Sequence, residues 1–292
     1  MSRGLGDVYK RQTFTPNPVK VNLEFDKSLS NGTLNAGDFS FKLTGDGNVN
    51  ETVTNKANGK INFSTLSFDK AGVYNYTVKE VAGTNTDVDY DAMTINVKVT
   101  VTKDANTGLL SASTVMTSSG GEATDANDRV FNNFVVPPVP VNVNFTKALA
   151  GRTLVAGEFT FEMKDENGVV VATGTNDEHG VVTFNQLPEV KNAQVGKVIK
   201  YKVTEKVPAN KEFGVTYDNM VAEVSVTVSK NADHTLKATV TYPGGDTEFN
   251  NTVTPPTTPD FQPEKFIVNK EKFDITAVSY THLRAHETLA NL

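Results

Sequence analysis

An alternating apolar pattern runs through this chain twice, the second copy 120 positions after the first (Lys27 to Lys147). Leu34/Leu154, Gly37/Gly157, Phe39/Phe159 and Phe41/Phe161 keep that offset without a gap. Further on, Phe63 and Leu66 match Phe184 and Leu187, and Tyr76, Val78 and Glu80 match Tyr201, Val203 and Glu205. Tyr90, Asp91 and Met93 match Tyr217, Asp218 and Met220, each leading into a strand-like run: Ile95, Val97, Val99 and Val101, then Val224, Val226 and Val228. Phe131-Asn132-Asn133 returns as Phe249-Asn250-Asn251. Internal repetition at a fixed spacing means one folding unit made twice. Period-two runs separated by Asp46-Gly47, Asn58-Gly59, Asn167-Gly168 and Gly244-Gly245 predict an all-β chain of tandem antiparallel sandwiches. Pro137, Pro138 and Pro140 separate the units, giving spans of 18–136 and 139–254. Residues 255–263 read as a Pro-rich linker, and 264–277 as the opening of a third unit with a loose match to the first strands.

The ends read differently. Residues 2–12 (SRGLGDVYKRQ) and 278–288 (VSYTHLRAHET) can be encoded by one DNA element in opposite orientations. Two unrelated termini should not share such an element. Residues 1–12 and 278–292 therefore read as a translated sequencing adapter and are set aside from fold reasoning. That removes His282 and His286 as a candidate zinc pair, and His179 and His234 are too few and too isolated for a metal centre. No cofactor is called for. A net charge of −6 argues against nucleic acid as a partner. No run approaches the roughly 18 apolar residues of a membrane span. With no cysteine, no disulfide can staple either unit.

Side-chain parity then singles out three polar residues per unit. Alternate residues of a strand share a face. Lys27 shares its face with Phe25 and Leu29, and Lys147 with Phe145 and Leu149. Glu80 lies with Tyr76 and Val78, and Glu205 with Tyr201 and Val203. Asn133 lies with Phe131, and Asn251 with Phe249. Each unit thus turns a Lys, a Glu and an Asn toward one apolar interior. A lone lysine so placed is ordinarily a snorkelling side chain with its head in water. Its recurrence with both partners argues against that reading. A buried Lys–Glu ion pair without further chemistry contributes little to stability and explains the repetition poorly.

The three types together make a reaction. Desolvation lowers a lysine's pKa and raises a glutamate's. A neutral Lys amine is a nucleophile. A protonated Glu can donate to the Asn carboxamide oxygen and shuttle protons. Attack on the Asn carbonyl carbon with loss of ammonia would join the side chains by an amide, once per unit. This is self-modification, with Glu80 and Glu205 as the catalytic groups, and not turnover. A glycosidase with paired carboxylates is disfavoured, because the repeated carboxylates lie in separate units, each beside a lysine. Tyr90-Asp91 and Tyr217-Asp218 read as strand-entry packing and turn chemistry, and Asp46–Asn50 as a solvated turn lacking the distal Glu of a calcium loop.

Phe-x-Lys-x-Leu, then Leu-x-Ala-Gly-(Asp/Glu)-Phe-x-Phe (34–41 and 154–161), then Tyr-x-Val-x-Glu, then Phe-x-Asn, resembles the isopeptide-linkage domain of streptococcal-type, T-antigen-like backbone pilins. The resemblance covers both units. It implies an immunoglobulin-like (CnaB-type) fold with crosslinks Lys27–Asn133 and Lys147–Asn251, choosing Asn133 over Asn132 and Asn251 over Asn250. It further implies a pilin or adhesin stalk on the cell wall of a Gram-positive bacterium. The implied partners are other pilin subunits, or the wall through a C-terminal anchor. Neither a Tyr-Pro-Lys motif nor an LPxTG signal is present in the 292 residues. The alternative is an adhesin module that binds a host matrix protein or glycan, which an exposed aromatic or charged patch on one unit alone would betray.

Overall fold

The computed structural model describes residues 17–254. The expectations for residues 1–12, 255–263, 264–277 and 278–292 lie outside the described residues. The regular secondary structure described is almost entirely strand. The first half contains β1 (Val19–Val21), β2 (Glu24–Ser30), β3 (Ser40–Gly45), β4 (Val49–Thr54), β5 (Lys60–Asn62), β6 (Leu66–Phe68), β7 (Gly72–Val81), β8 (Val88–Asp89), β9 (Thr94–Lys103), β10 (Leu110–Ser119) and β11 (Val130–Val135). The second contains β12 (Val139–Pro140), β13 (Phe145–Ala150), β14 (Thr160–Lys164), β15 (Val170–Asn176), β16 (Val181–Asn185), β17 (Glu189–Val190), β18 (Val198–Glu205), β19 (Val215–Thr216), β20 (Val221–Lys230), β21 (Leu236–Thr241) and β22 (Glu248–Val253).

The alternation in the sequence becomes two faces, one sealed and one wet. In the first sandwich the sheet β10-β9-β7-β3-β4 packs on β5-β2-β11-β8. Its core is built from Phe25, Phe41, Leu43, Ile61, Val78, Ile95, Val97, Val99 and Phe131, all essentially inaccessible. The second has its own core around Phe145, Phe161, Met163, Val203, Val224, Val226 and Phe249. All pairings are antiparallel except one in each sandwich. The first long strand and the last run parallel, β2 with β11 and β13 with β22.

The two sandwiches differ at one edge. In the second, β15 pairs with both β14 and β16, so nine strands form one sheet that runs from one layer into the other. In the first, β4 and β5 belong to separate sheets. Gly174 explains the difference. It stands at the position of Val53 (the 121-residue offset that also relates Phe63 to Phe184), and a Cβ there would lie 2.7 Å from the Thr183 carbonyl oxygen. Only glycine lets β16 approach β15 closely enough to bond.

Candidate functional site: two buried lysine–glutamate–asparagine clusters

Parity places the six residues where the sequence puts them. Lys27 on β2, Glu80 on β7 and Asn133 on β11 meet in the first sandwich, and Lys147 on β13, Glu205 on β18 and Asn251 on β22 meet in the second. The parallel register sets Phe131 opposite Lys27 and Asn133 opposite Leu29, so lysine and asparagine are diagonal neighbours on the inner face. Glutamate arrives from the facing layer, paired in register with Phe41 or Phe161. Both Lys and both Glu side chains have 0% exposure, which excludes snorkelling.

One glutamate oxygen serves each partner. Lys27 Nζ donates to Glu80 Oε2 at 3.0 Å, and Asn133 Nδ2 donates to Glu80 Oε1 at 2.5 Å. In the second cluster Lys147 Nζ lies 2.7 Å from Glu205 Oε2, and Asn251 Nδ2 lies 2.7 Å from Glu205 Oε1. Each ammonium also sits 4.6 Å from the centre of an aromatic ring, Phe39 or Phe159. Those rings belong to the most specific repeated segments, which now have a physical role. Asn55 caps the first: its Oδ1 accepts from Phe39 N–H, and its Nδ2 donates to the carbonyls of Asn35 and Lys56. Asn176 does the same for Phe159 with the carbonyls of Val155 and Asp177.

Burial dominates the electrostatics. Desolvation lowers Lys27 to about 8, against the opposing pull of Glu80's charge and hydrogen bond. Desolvation raises Glu80 despite Lys27 and the Asn133 hydrogen bond. Lys147 is likewise lowered by desolvation. A buried pair shifted in these directions is biased toward its neutral form, amine and carboxylic acid.

One detail differs from the expected chemistry. The carboxamide oxygen does not face glutamate. Asn133 Oδ1 accepts from the backbone N–H of Asp91 at 2.8 Å, and Asn251 Oδ1 from that of Asp218 at 2.7 Å. A backbone N–H can only donate, so the amide nitrogen must turn to glutamate. Asp91 and Asp218, read from sequence as turn residues, are thus in contact with the cluster. Their carboxylates also bind the last strand: Asp91 Oδ2 accepts from Asn132 N–H, and Asp218 Oδ2 from Asn250 N–H. Their recurrence after Tyr90 and Tyr217 was the signal available in the sequence. Among the described residues no group of His, Cys, Asp and Glu is arranged to hold a metal ion.

The family model for the Spy0128-like isopeptide containing domain (FctA) matches residues 23–135 and 143–254. The chain belongs to this family. Among solved structures, it is similar to the major pilin protein T-13 from Streptococcus pyogenes serotype GAS131465, at 19% identity and a TM-score of 0.31, covering 82% of this chain and 98% of that one. A second similar structure is the C-terminal fragment of the pilus adhesin SpaC from Lactobacillus rhamnosus GG, at 13% identity and a TM-score of 0.31, covering 79% and 96%. No curated protein matches the chain.

Proposed function

We propose that this chain is a structural segment of a pilus or stalk on the surface of a Gram-positive bacterium. Each of its sandwiches closes one intramolecular Lys–Asn amide. The observation that carries the reading is the same fully buried Lys–Glu–Asn arrangement, twice, in separate cores.

The geometry supports a balanced sequence of steps. A proton passes from Lys27 Nζ to Glu80 Oε2, leaving a neutral amine and a neutral acid, the state that burial favours. Nζ attacks Cγ of Asn133, forming the new C–N bond while charge moves to Oδ1. Glu80, already bonded to Nδ2, protonates it and takes the remaining excess proton from Nζ. The Cγ–Nδ2 bond breaks, ammonia leaves, and Glu80 ends protonated. Lys147, Glu205 and Asn251 follow the same course. The residues are consumed, so the chain is its own single substrate. Assembly with other subunits and attachment to the wall belong to this reading as the setting of the family's pilins.

The test is a pair of variants. Glu80→Ala is expected to retain one ammonia in the first sandwich and Glu205→Ala one in the second, each leaving the other bond intact by intact mass. A variant that lost both bonds would contradict two independent sites.

A second reading rests on one observation. Phe213, in the loop between β18 and β19, is 85% exposed, and the first sandwich has no counterpart. An aromatic displayed on one unit alone suits an adhesin contact. Binding to host matrix proteins or glycans that Phe213→Ala leaves unchanged would remove it.

A further inference from the structure

Building on the amide-forming reading, we infer that Asp91 and Asp218 are positioning residues: each clamps the last strand with its carboxylate and aims its own backbone N–H at the oxygen on which charge develops. The carboxylates are anchored for this purpose. Asp91 Oδ1 accepts from Met93 N–H at 2.8 Å and from Glu122 N–H at 3.0 Å, while Oδ2 takes the N–H of Asn132 at 2.8 Å. Asp218 repeats the pattern, Oδ1 with Met220 N–H at 2.8 Å and Oδ2 with Asn250 N–H at 2.6 Å. The strap therefore reaches the residue immediately before the reacting asparagine in both sandwiches.

The chemistry explains why the strap matters. Attack on Cγ turns the carboxamide carbon tetrahedral and moves an electron pair onto Oδ1. A donor already in place stabilises that charge without reorganisation at the moment of reaction. The same N–H, by fixing the oxygen, forces Nδ2 toward the glutamate that must protonate it. A wrongly turned amide would present its oxygen to glutamate and its NH2 to another donor. In the first sandwich the clamp is tightened by residues 120–122. Gly121, with φ +53°, packs so closely that a Cβ would lie 2.2 Å from Met93 N. That closeness lets Glu122 N–H reach Asp91.

A positioning role and a purely electrostatic one predict different outcomes for Asp91→Glu. Glutamate keeps the charge but moves the carboxylate by one methylene. The full chain, isolated unreacted in denaturant, is diluted into buffer, and ammonia loss is followed by acid-quenched intact mass and by the crosslinked peptides. Hydrogen exchange checks that the first sandwich folds, and closure of Lys147–Asn251 in the same chain is the internal control. We expect Asp91→Glu to slow closure of Lys27–Asn133 by about tenfold or more, short of the roughly 10²–10³-fold loss when an oxyanion donor is removed outright, because the backbone N–H stays and only its aim is disturbed. Closure at the wild-type rate would overturn the inference and leave the amide reading standing. Asp218→Glu, at a less buried position, decides the question if the first variant fails to fold. Failure of both sandwiches to fold would make the two aspartates folding determinants and overturn their positioning role. A wild-type chain that loses no ammonia would overturn the amide reading itself.

Discussion

At the scale of the residue, the proposed amide closure would run its acid–base chemistry between side chains sealed from solvent. The reactive state is the pair holding one shared proton. A second proton on the pair at low pH leaves lysine charged, and loss of the shared proton at high pH leaves no acid for the departing amine. The closure rate is therefore expected to be bell-shaped in pH, with its alkaline limb near the lowered Lys27 value of about 8. Refolding the unreacted chain across a pH series and counting ammonia losses checks this. A rate still rising at the ordinary lysine pKa would show that Glu80 is not the proton donor. Parity made Lys27, Glu80 and Asn133 legible, because alternation fixes which face a side chain takes. It does not fix which atom of a carboxamide meets which partner. That depends on the backbone of Asp91, 42 residues away in sequence, and so the orientation of Asn133 and the part played by Asp91 escaped the sequence.

At the scale of the element, the strands follow from period two, but their edges do not. The repeated segments around Phe39 and Phe159 were recognisable as a motif. The caps that hold them, Asn55 and Asn176, were not, since a lone Asn between strands reads as an ordinary turn residue. Both are buried, and each satisfies three backbone groups. Asn176→Ala leaves the buried Phe159 N–H without its partner and should cost about 1–3 kcal/mol. The measurement is urea unfolding in a Glu205→Ala background, where no covalent bridge masks the loss; an unchanged midpoint would refute the capping role. The continuous nine-stranded sheet was likewise hidden, because it turns on the absence of one side chain at Gly174.

At the scale of the molecule, the parallel pairing of first and last strands explains where a bridge is useful. The chain enters at the start of β2 and leaves at the end of β11, at opposite ends of two adjacent strands. Tension on the termini would shear that pair, and the proposed Lys27–Asn133 amide would cross it. Closing a loop of roughly a hundred residues stabilises by about 4–5 kcal/mol in the chain-entropy model, which fits a chain without disulfides. The two sandwiches are joined by polar contacts that sequence gave no means to foresee. Asp89 of β8 accepts from Lys230 Nζ at 2.5 Å and Asn192 Nδ2 at 3.0 Å, and lies 2.8 Å from His234 Nδ1. The Phe134 ring stacks on His234 at 3.6 Å. Burial alone would raise the Asp89 carboxyl, but the hydrogen bonds from Lys230, His234 and Asn192 hold it below the usual range. Its contribution is thus present above the ordinary aspartate pKa and is lost as pH falls through the lowered value. Asp89→Ala should free the joint, with the two sandwiches tumbling more independently by NMR relaxation. Identical tumbling would mean that other contacts fix it.

The most direct measurement is the intact mass of the folded wild-type chain. Closure of both amides lowers that mass below the mass of the 292-residue sequence by two molecules of ammonia, with fragment ions that join Lys27 to Asn133 and Lys147 to Asn251. A mass equal to that of the unmodified chain would contradict it.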